Sequence, residues 1–436
     1  TWWDYGKLRL SYGVVGNSPS IYRANMAYNQ GSITRSTTYT YNYVPTDIGN
    51  ENIKPERKYE YEIGIENKWF NNRLGMELSY YYNDIKDQIL TTTSASSMGA
   101  KSMLMNVGEL TNSGLEASLY GTPILTKDWR LNLNFNIAFN KNKVKKLADG
   151  LDVLSHMTVD NGAASLESHV GESMGDWYAY TYKTDDKGNR IVGSNGLYMT
   201  DTSTRHKVGN AMPKATGGFG GMLNYKNFAL TFNFDFRIGG DVLNLPWQYM
   251  MDAGNIKDAV GVRNAATGGI YYYSDTDKAS DKGSLHRVNP ADIPNYKRGE
   301  TKINGHLVWD NGLIQKGVKE DGTPNDIIVT QFEVNDNQYG WGTGATQSYA
   351  DAIQKNSYVK CREITFAYTL PKLITKKFHC NTLTVSAYVR NPFYIYRSLK
   401  LFDAEATDGT SWIYQAQIGG TTATSRSFGL TLRANF

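Results

Sequence analysis

The chain has 436 residues, 46 basic against 42 acidic side chains and a formal net charge of +4, with the charges interspersed rather than gathered in a basic block, which argues against nucleic acid as a partner. No run of 18 apolar residues exists, so no transmembrane helix is available, yet a mean hydropathy of −0.49 does not exclude a membrane β-barrel, whose strands turn half their residues toward a polar lumen. With 31 Tyr, 15 Phe, 9 Trp and 42 Gly but only 11 Pro, the composition is one of strands and turns rich in interfacial side chains.

The N-terminal TWWDYGKLRLSYGVV enters a strand almost at once, with neither a basic region nor an apolar leader. Export information is therefore expected to have been removed, or to belong to a longer protein. Leu8, Leu10, Tyr12 and Val14 alternate with Lys7, Arg9, Ser11 and Gly13; Tyr59, Tyr61, Ile63 and Ile65 alternate with Lys58, Glu60, Glu62 and Gly64. A third strand carries Leu74, Met76, Leu78, Tyr80 and Tyr82, and a fourth ends with Leu115, Ala117 and Leu119. The fifth is clearest, with Trp129, Leu131, Leu133, Phe135, Ile137 and Phe139 set against Arg130, Asn132, Asn134, Asn136 and Asn140. Phe219, Leu223 and Tyr225 lead through a turn at Lys226 into Phe228, Leu230, Phe232, Phe234 and Phe236, opposed by Asn227, Thr231, Asn233, Asp235 and Arg237. Ile364, Phe366 and Tyr368 mark the eighth strand and Leu383, Val385, Ala387 and Val389 the ninth. The tenth is SRSFGLTLRANF, with Phe428, Leu430, Leu432, Ala434 and Phe436 on one face and Ser427, Gly429, Thr431, Arg433 and Asn435 on the other. Period-two alternation of this kind describes strands that are apolar on one side and wet on the other.

Connection lengths separate a barrel from a soluble sandwich. Short joins at 69–72, 121–128, 226 and 371–379 alternate strictly with long ones at 16–57, 91–100, 141–213, 239–354 and 391–424. Outer-membrane barrels have this asymmetry, with tight periplasmic turns and long extracellular loops. Trp2, Trp3, Trp69, Phe70, Trp129, Tyr225, Phe378 and Phe436 gather at the short-turn end, as an aromatic girdle would. The fold expected is all-β, a transmembrane antiparallel barrel. Cys361 and Cys380 fall about nine positions out of register on neighbouring strands, ~30 Å apart, so no disulfide is expected.

The terminal strand resembles the assembly signal of bacterial outer-membrane barrels, which places that role on Phe428, Leu430, Leu432 and Phe436. NENIKPERKYEYEIG at 50–64, with Lys54, Pro55, Glu56, Glu62 and Gly64, resembles a barrel motif of TonB-dependent receptors. RLGMELSYYYNDIKDQI, NVGELTNSGLEASL, PKATGGFGGMLNYKNFALTFNFDFRIGGDV, SYVKCREITFAYTLP and RNPFYIY are similar, in that order, to the C-terminal half of the SusC/RagA-type transporters of Bacteroidetes outer membranes. The resemblance implies that residues 1–436 are the C-terminal ~10 strands of a ~22-stranded barrel, with neither the plug nor the TonB-binding segment in this chain. It further implies TonB-dependent import of a large nutrient, an oligosaccharide or else a peptide, through a complex with a SusD-like surface lipoprotein, in the bacterial outer membrane. A small passive porin and a barrel-based surface hydrolase are the alternatives.

No cofactor is implied, and no catalytic site is expected. His156, His169, His206, His286, His306 and His379 show no H-E-x-x-H and no cysteine–histidine metal spacing. Asp185–Asn189 reads as a hairpin turn, and GGFGG at 217–221 continues as a strand instead of opening a helix, so close backbone approach explains it better than phosphate binding. Trp177, Trp247, Trp309, Trp341, Trp412 and Tyr414, in the long connections, are candidates for ligand or partner contact, since aromatic faces stack on sugars and fill interface hot spots; packing within the loops is the alternative. Leu133, Phe135, Phe232, Phe234, Leu430 and Leu432 are expected to face lipid, and Asn134, Asn136, Asn233, Asp235, Thr431 and Arg433 the lumen. Arg362 and Arg426 share parity with lipid-facing neighbours, as does Lys360. Counted from the short-turn end they stand at ~20 and ~25 Å, near the top of the apolar band, and are expected to reach anionic groups of the outer leaflet.

Overall fold

The computed structural model describes residues 2–19, 21, 28–93, 102–148, 150–278, 284–340, 347–399, 401–420 and 422–436. Ten long strands form one antiparallel meander: β1 (Trp3–Asn17), β2 (Glu56–Trp69), β3 (Leu74–Lys86), β4 (Gly108–Leu125), β5 (Trp129–Leu147), β6 (Ala215–Tyr225), β7 (Phe228–Ile238), β8 (Tyr358–Thr369), β9 (Thr382–Arg390) and β10 (Ser427–Asn435). Each strand pairs with its neighbours in sequence, so the joins at residues 70–73, 126–128, 226–227 and 370–381 share one end of the sheet and the long connections share the other.

The turns follow from local chemistry. Phe70, Asn71 and Asn72 all have φ near +60°, a conformation asparagine tolerates, and Lys226 (φ +50°) begins the two-residue turn between β6 and β7. The 370–381 join is longer than a hairpin turn because Lys372–Thr375 forms one helical turn after Pro371.

Alternation sets the two faces. One carries Leu131, Leu133, Phe135, Phe219, Phe232, Phe234 and Ile364, which stand beside one another across the strands; Phe219 and Phe234 stack at 4.8 Å. The other carries Asn132, Asn134, Asn136, Thr231 and Asn233. The glycines on either side of Phe219 serve close packing: a Cβ on Gly217 would meet the Phe236 ring and one on Gly221 the Phe232 ring, each within 3 Å. On the polar face Tyr81, Tyr120 and Tyr388 lie in the same way over Gly114, Gly75 and Gly429 of the adjacent strands.

The long connections build their own structure. Residues 153–210 form a four-stranded sheet (Val153–Val159, Ala164–His169, Asp176–Tyr182 and Thr200–Asn210), and the 239–357 connection supplies a helix α1 (Leu245–Asp252) and further short strands. Their shared core contains Trp177, Leu243, Trp247, Met251, Val329, Tyr339 and Tyr349. It lies beyond the end of the sheet, whereas on the sheet's apolar face Leu133, Phe135 and Phe366 are exposed. Cys361 in β8 and Cys380 before β9 are both free and buried.

Candidate functional site: the capped, long-connection end of the sheet

The polar face of the sheet begins as a charged wall. Arg9 of β1 reaches across β2 to Glu77 of β3 at 2.5 Å, with Glu66 at 3.9 Å and the Ser79 hydroxyl at 3.2 Å. Toward β5 and β7 it becomes a field of amides, Asn132, Asn134, Asn136 and Asn233. Amides offer donors and acceptors together, a surface suited to neutral polar solutes.

At the upper end of β7 and β8 the wall carries an ion-pair cluster. Asn233 pairs with Glu363 and Phe234 with Cys361, which leaves Arg362 as the extra residue of a β-bulge. Its guanidinium therefore turns to the Asp235 face, where it pairs with Asp235 and with Glu405 from the 391–424 connection. Lys360 lies opposite Asp235 on the same face, 1% exposed, and is also paired with Glu405. The Tyr358 hydroxyl donates to Glu405 at 3.3 Å, and Lys360 sits 4.9 Å above the Tyr394 ring. Outward positions for Arg362 and Lys360 are thus corrected: parity counted from Ile364 holds only as far as the bulge, and above it every side chain changes face. Arg426 just precedes β10 and is exposed.

Asp403 and Glu405 bring the 391–424 connection onto this cluster. Burial alone would raise the Asp403 carboxyl, but the Tyr394 hydroxyl and both donors of Thr424 hold it down at about 2. Glu405 is likewise disfavoured by burial and nonetheless stays below the usual carboxylate range because Arg362 and Lys360 bind it. Asn356 donates to the Ala404 carbonyl at 2.8 Å, so the connection is pinned at three successive residues.

The loop aromatics divide. Trp177 is fully buried and donates to the Asp241 carbonyl at 3.2 Å; Trp247, in α1, is 8% exposed and donates to Asp258 at 3.2 Å. Expected as contact residues, both are instead the loops' own core, because the 153–210 sheet and α1 close over them. Trp309 stacks on Tyr272 at 5.7 Å and is half-buried, and Trp412 is half-buried with its ring meeting the edge of His156 at 4.9 Å. Tyr414 is 56% exposed. Trp341 lies outside the described residues. Phe428, Leu430, Leu432 and Phe436 are all strongly exposed along β10.

Sequence reasoning missed Glu405, Asp403 and Lys360 as a unit. The available signal was an acidic FDAEA segment in a long connection, paired in composition with KCRE at the top of a strand. Among the described residues no group of three or more His, Cys, Asp or Glu is placed to hold a metal.

Comparison with known proteins agrees with this architecture. The family model described as TonB dependent receptor-like, beta-barrel, matches residues 1–310. TonB-dependent receptor P3 of Formosa agariphila is 26% identical over 335 residues, 71% of this chain and 31% of that protein. TonB-dependent receptor SusC of Bacteroides thetaiotaomicron is 27% identical over 254 residues, 52% of this chain and 24% of that protein. This chain thus spans a quarter to a third of these relatives. A chain of the solved RagAB peptide transporter shares the fold at a TM-score of 0.66 and 18% identity, covering 100% of this chain and 41% of its own length. The family model covers residues 1–310, and with them β1 to β7 of the ten-stranded meander: the chain belongs to the TonB dependent receptor-like β-barrel family and forms part of an outer-membrane β-barrel.

Proposed function

We propose that this chain is the C-terminal barrel portion of a transporter that imports a large nutrient through the outer membrane, driven by TonB and capped by a SusD-like lipoprotein. The connections 16–57, 141–213, 239–354 and 391–424 face outward in this reading, and the cap they build meets the lipoprotein and the cargo. The observation that carries it is the folded cap itself, pinned to the lumenal wall by Glu405 and presenting Tyr414 at its surface. An amide-lined wall suits neutral, hydroxyl-rich solutes, so oligosaccharide is the cargo class proposed, with peptide the alternative. Plug and TonB contacts belong to residues outside this chain. No covalent chemistry is required of it.

The experiment is mild-detergent purification of the tagged full-length protein from its native membrane, together with growth of the gene deletion on single oligosaccharides and on peptides. Co-purification of a stoichiometric surface lipoprotein and a growth defect confined to one cargo class are expected. Absence of both, or turnover of substrate by the purified protein, would refute the reading.

A further inference from the structure

Just above the apolar band, on the outer face of the wall, the strands leave a gap. β6 begins at Ala215, opposite Phe139, while β5 continues to Leu147. Beyond Phe139 the exposed edge of β5 is met by Gly171 and Glu172, which exchange backbone hydrogen bonds with Val144, and by the 210–214 approach to β6. Between them lies a cleft of about 630 Å³. Four lysines line it: Lys141, Lys143, Lys214 and Lys355.

Parity shows which way the first two point. Asn142 and Val144 are buried beneath the cap, whereas Lys141 and Lys143 are exposed and share the face of Phe139 and Ile137. Lys214 immediately precedes Ala215, and its backbone N–H donates to Ile238, the last residue of β7. At ~2.5 Å of height per residue from Trp129 and Tyr225, the backbone at Lys141, Lys143 and Lys214 stands ~25–35 Å above the short-turn end. That is the level at which an apolar band ~25 Å tall gives way to lipid head groups. Among the described residues none of the four is in an ion pair. Of the two carboxylates that also line the cleft, Glu172 is paired with Lys207 at 3.0 Å, and Asp241, which accepts from the Asn210 N–H at 2.9 Å, lies opposite Lys355, so the cleft keeps an excess of positive charge. The floor is neutral and polar, with Ser173 bonded to Asn142 at 2.8 Å.

We propose that this cleft is a binding site for an anionic membrane lipid with a phosphate-bearing head group, the phosphate held by Lys141 and Lys143 from the outer face, with Lys214 and Lys355 lining the far side of the cleft. The acyl chains then lie on the apolar face formed by Phe139, Ile137 and Ile238. An excess of cations over carboxylates in the cleft, with Lys141 and Lys143 on the lipid-facing side, supplies the charge complementarity, and the continuity of cleft and apolar band selects a lipid over a soluble anion. The site goes beyond import: it fixes the depth and rotation of the barrel in the membrane beside the cap. It requires only that the long-connection end lie at the outer leaflet, which surface labelling of a loop cysteine tests separately.

The test uses the full-length receptor in detergent and in nanodiscs, with bis-phosphorylated lipid A as the probe. Binding is followed by native mass spectrometry for the wild type and for a K141Q/K143Q/K214Q variant. Loss of three surface lysines should weaken binding on the order of 100-fold, and phosphatase-treated lipid should bind the wild type as weakly as the intact lipid binds the variant. Retained heat-modifiable migration and unchanged lipoprotein co-purification show that the variant is folded. Equal binding by the variant, equal binding of the dephosphorylated lipid, full competition by millimolar inorganic phosphate, or loss of the lipoprotein in place of the lipid would each overturn the proposal.

Discussion

Replacing Glu405 with Ala removes the acceptor shared by Lys360 and Arg362. Lys360 is 2% exposed at its side chain, so its ammonium is left in a desolvated position, while Arg362 keeps Asp235 and is 32% exposed. Breaking a buried pair on one side typically costs 3–5 kcal/mol. The Tyr394 ring 4.9 Å from Lys360 and the partial exposure of Arg362 reduce this to about 2–3 kcal/mol. The cost falls on the attachment of the 391–424 connection and not on the whole barrel, whose strand pairing is untouched. Hydrogen exchange in residues 394–408 should therefore accelerate by roughly 30- to 150-fold, with β3–β5 unchanged. Adding Lys360→Met and changing Glu405 to Leu should recover more than half of the loss, since apolar replacement of a buried pair is often neutral. Exchange in 394–408 within threefold of wild type in Glu405→Ala would refute the clamp.

Phe234 packs on Phe219 in the apolar face, so Phe234→Lys should cost ~2–4 kcal/mol in a refolding titration; a cost below ~0.5 kcal/mol would reject the assigned face. Trp177→Ala should destabilise the cap by ~3–5 kcal/mol as a core cavity, read as protease sensitivity of 153–210, whereas Tyr414→Ala should leave the cap intact and reduce cargo or lipoprotein affinity. Burial holds the His156 imidazole down at about 4, against partial opposition from Glu167. The unfolded segment takes up a proton below ~6.5 that the folded one refuses until about 4, so stability is complete above ~6.5 and falls by at most ~3 kcal/mol as pH drops through that window. Protection of 153–170 measured against pH should show that slope, and His156→Gln should flatten it. Deleting Phe436 should lower the amount of inserted barrel while transport per inserted molecule stays the same; normal insertion with impaired transport would contradict its assembly role.

The strands and turns were legible because a sheet with two unlike faces writes its period into the chain. The five Asn and Arg positions opposite Leu131–Phe139 need no tertiary information to be read. Arg362 was not legible, because a bulge inserts one residue without altering composition, and parity reasoning carries the error to every residue above it. Trp177 and Trp247 failed for a different reason. Their burial depends on packing among segments as distant as 159–179, 243–259 and 329–352, and no local pattern records that meeting. Tyr414 and the charged wall at Arg9 lie where alternation and loop position alone would put them.

Energised uptake tests the central reading most directly. Cells producing the full-length protein are given the cargo identified by the growth screen, and initial uptake is measured with TonB present, with TonB deleted, and after collapse of the proton gradient. The account predicts that uptake falls to the level of the receptor deletion in both treated cases. Uptake that persists unchanged without TonB would make the barrel a passive pore and contradict the account.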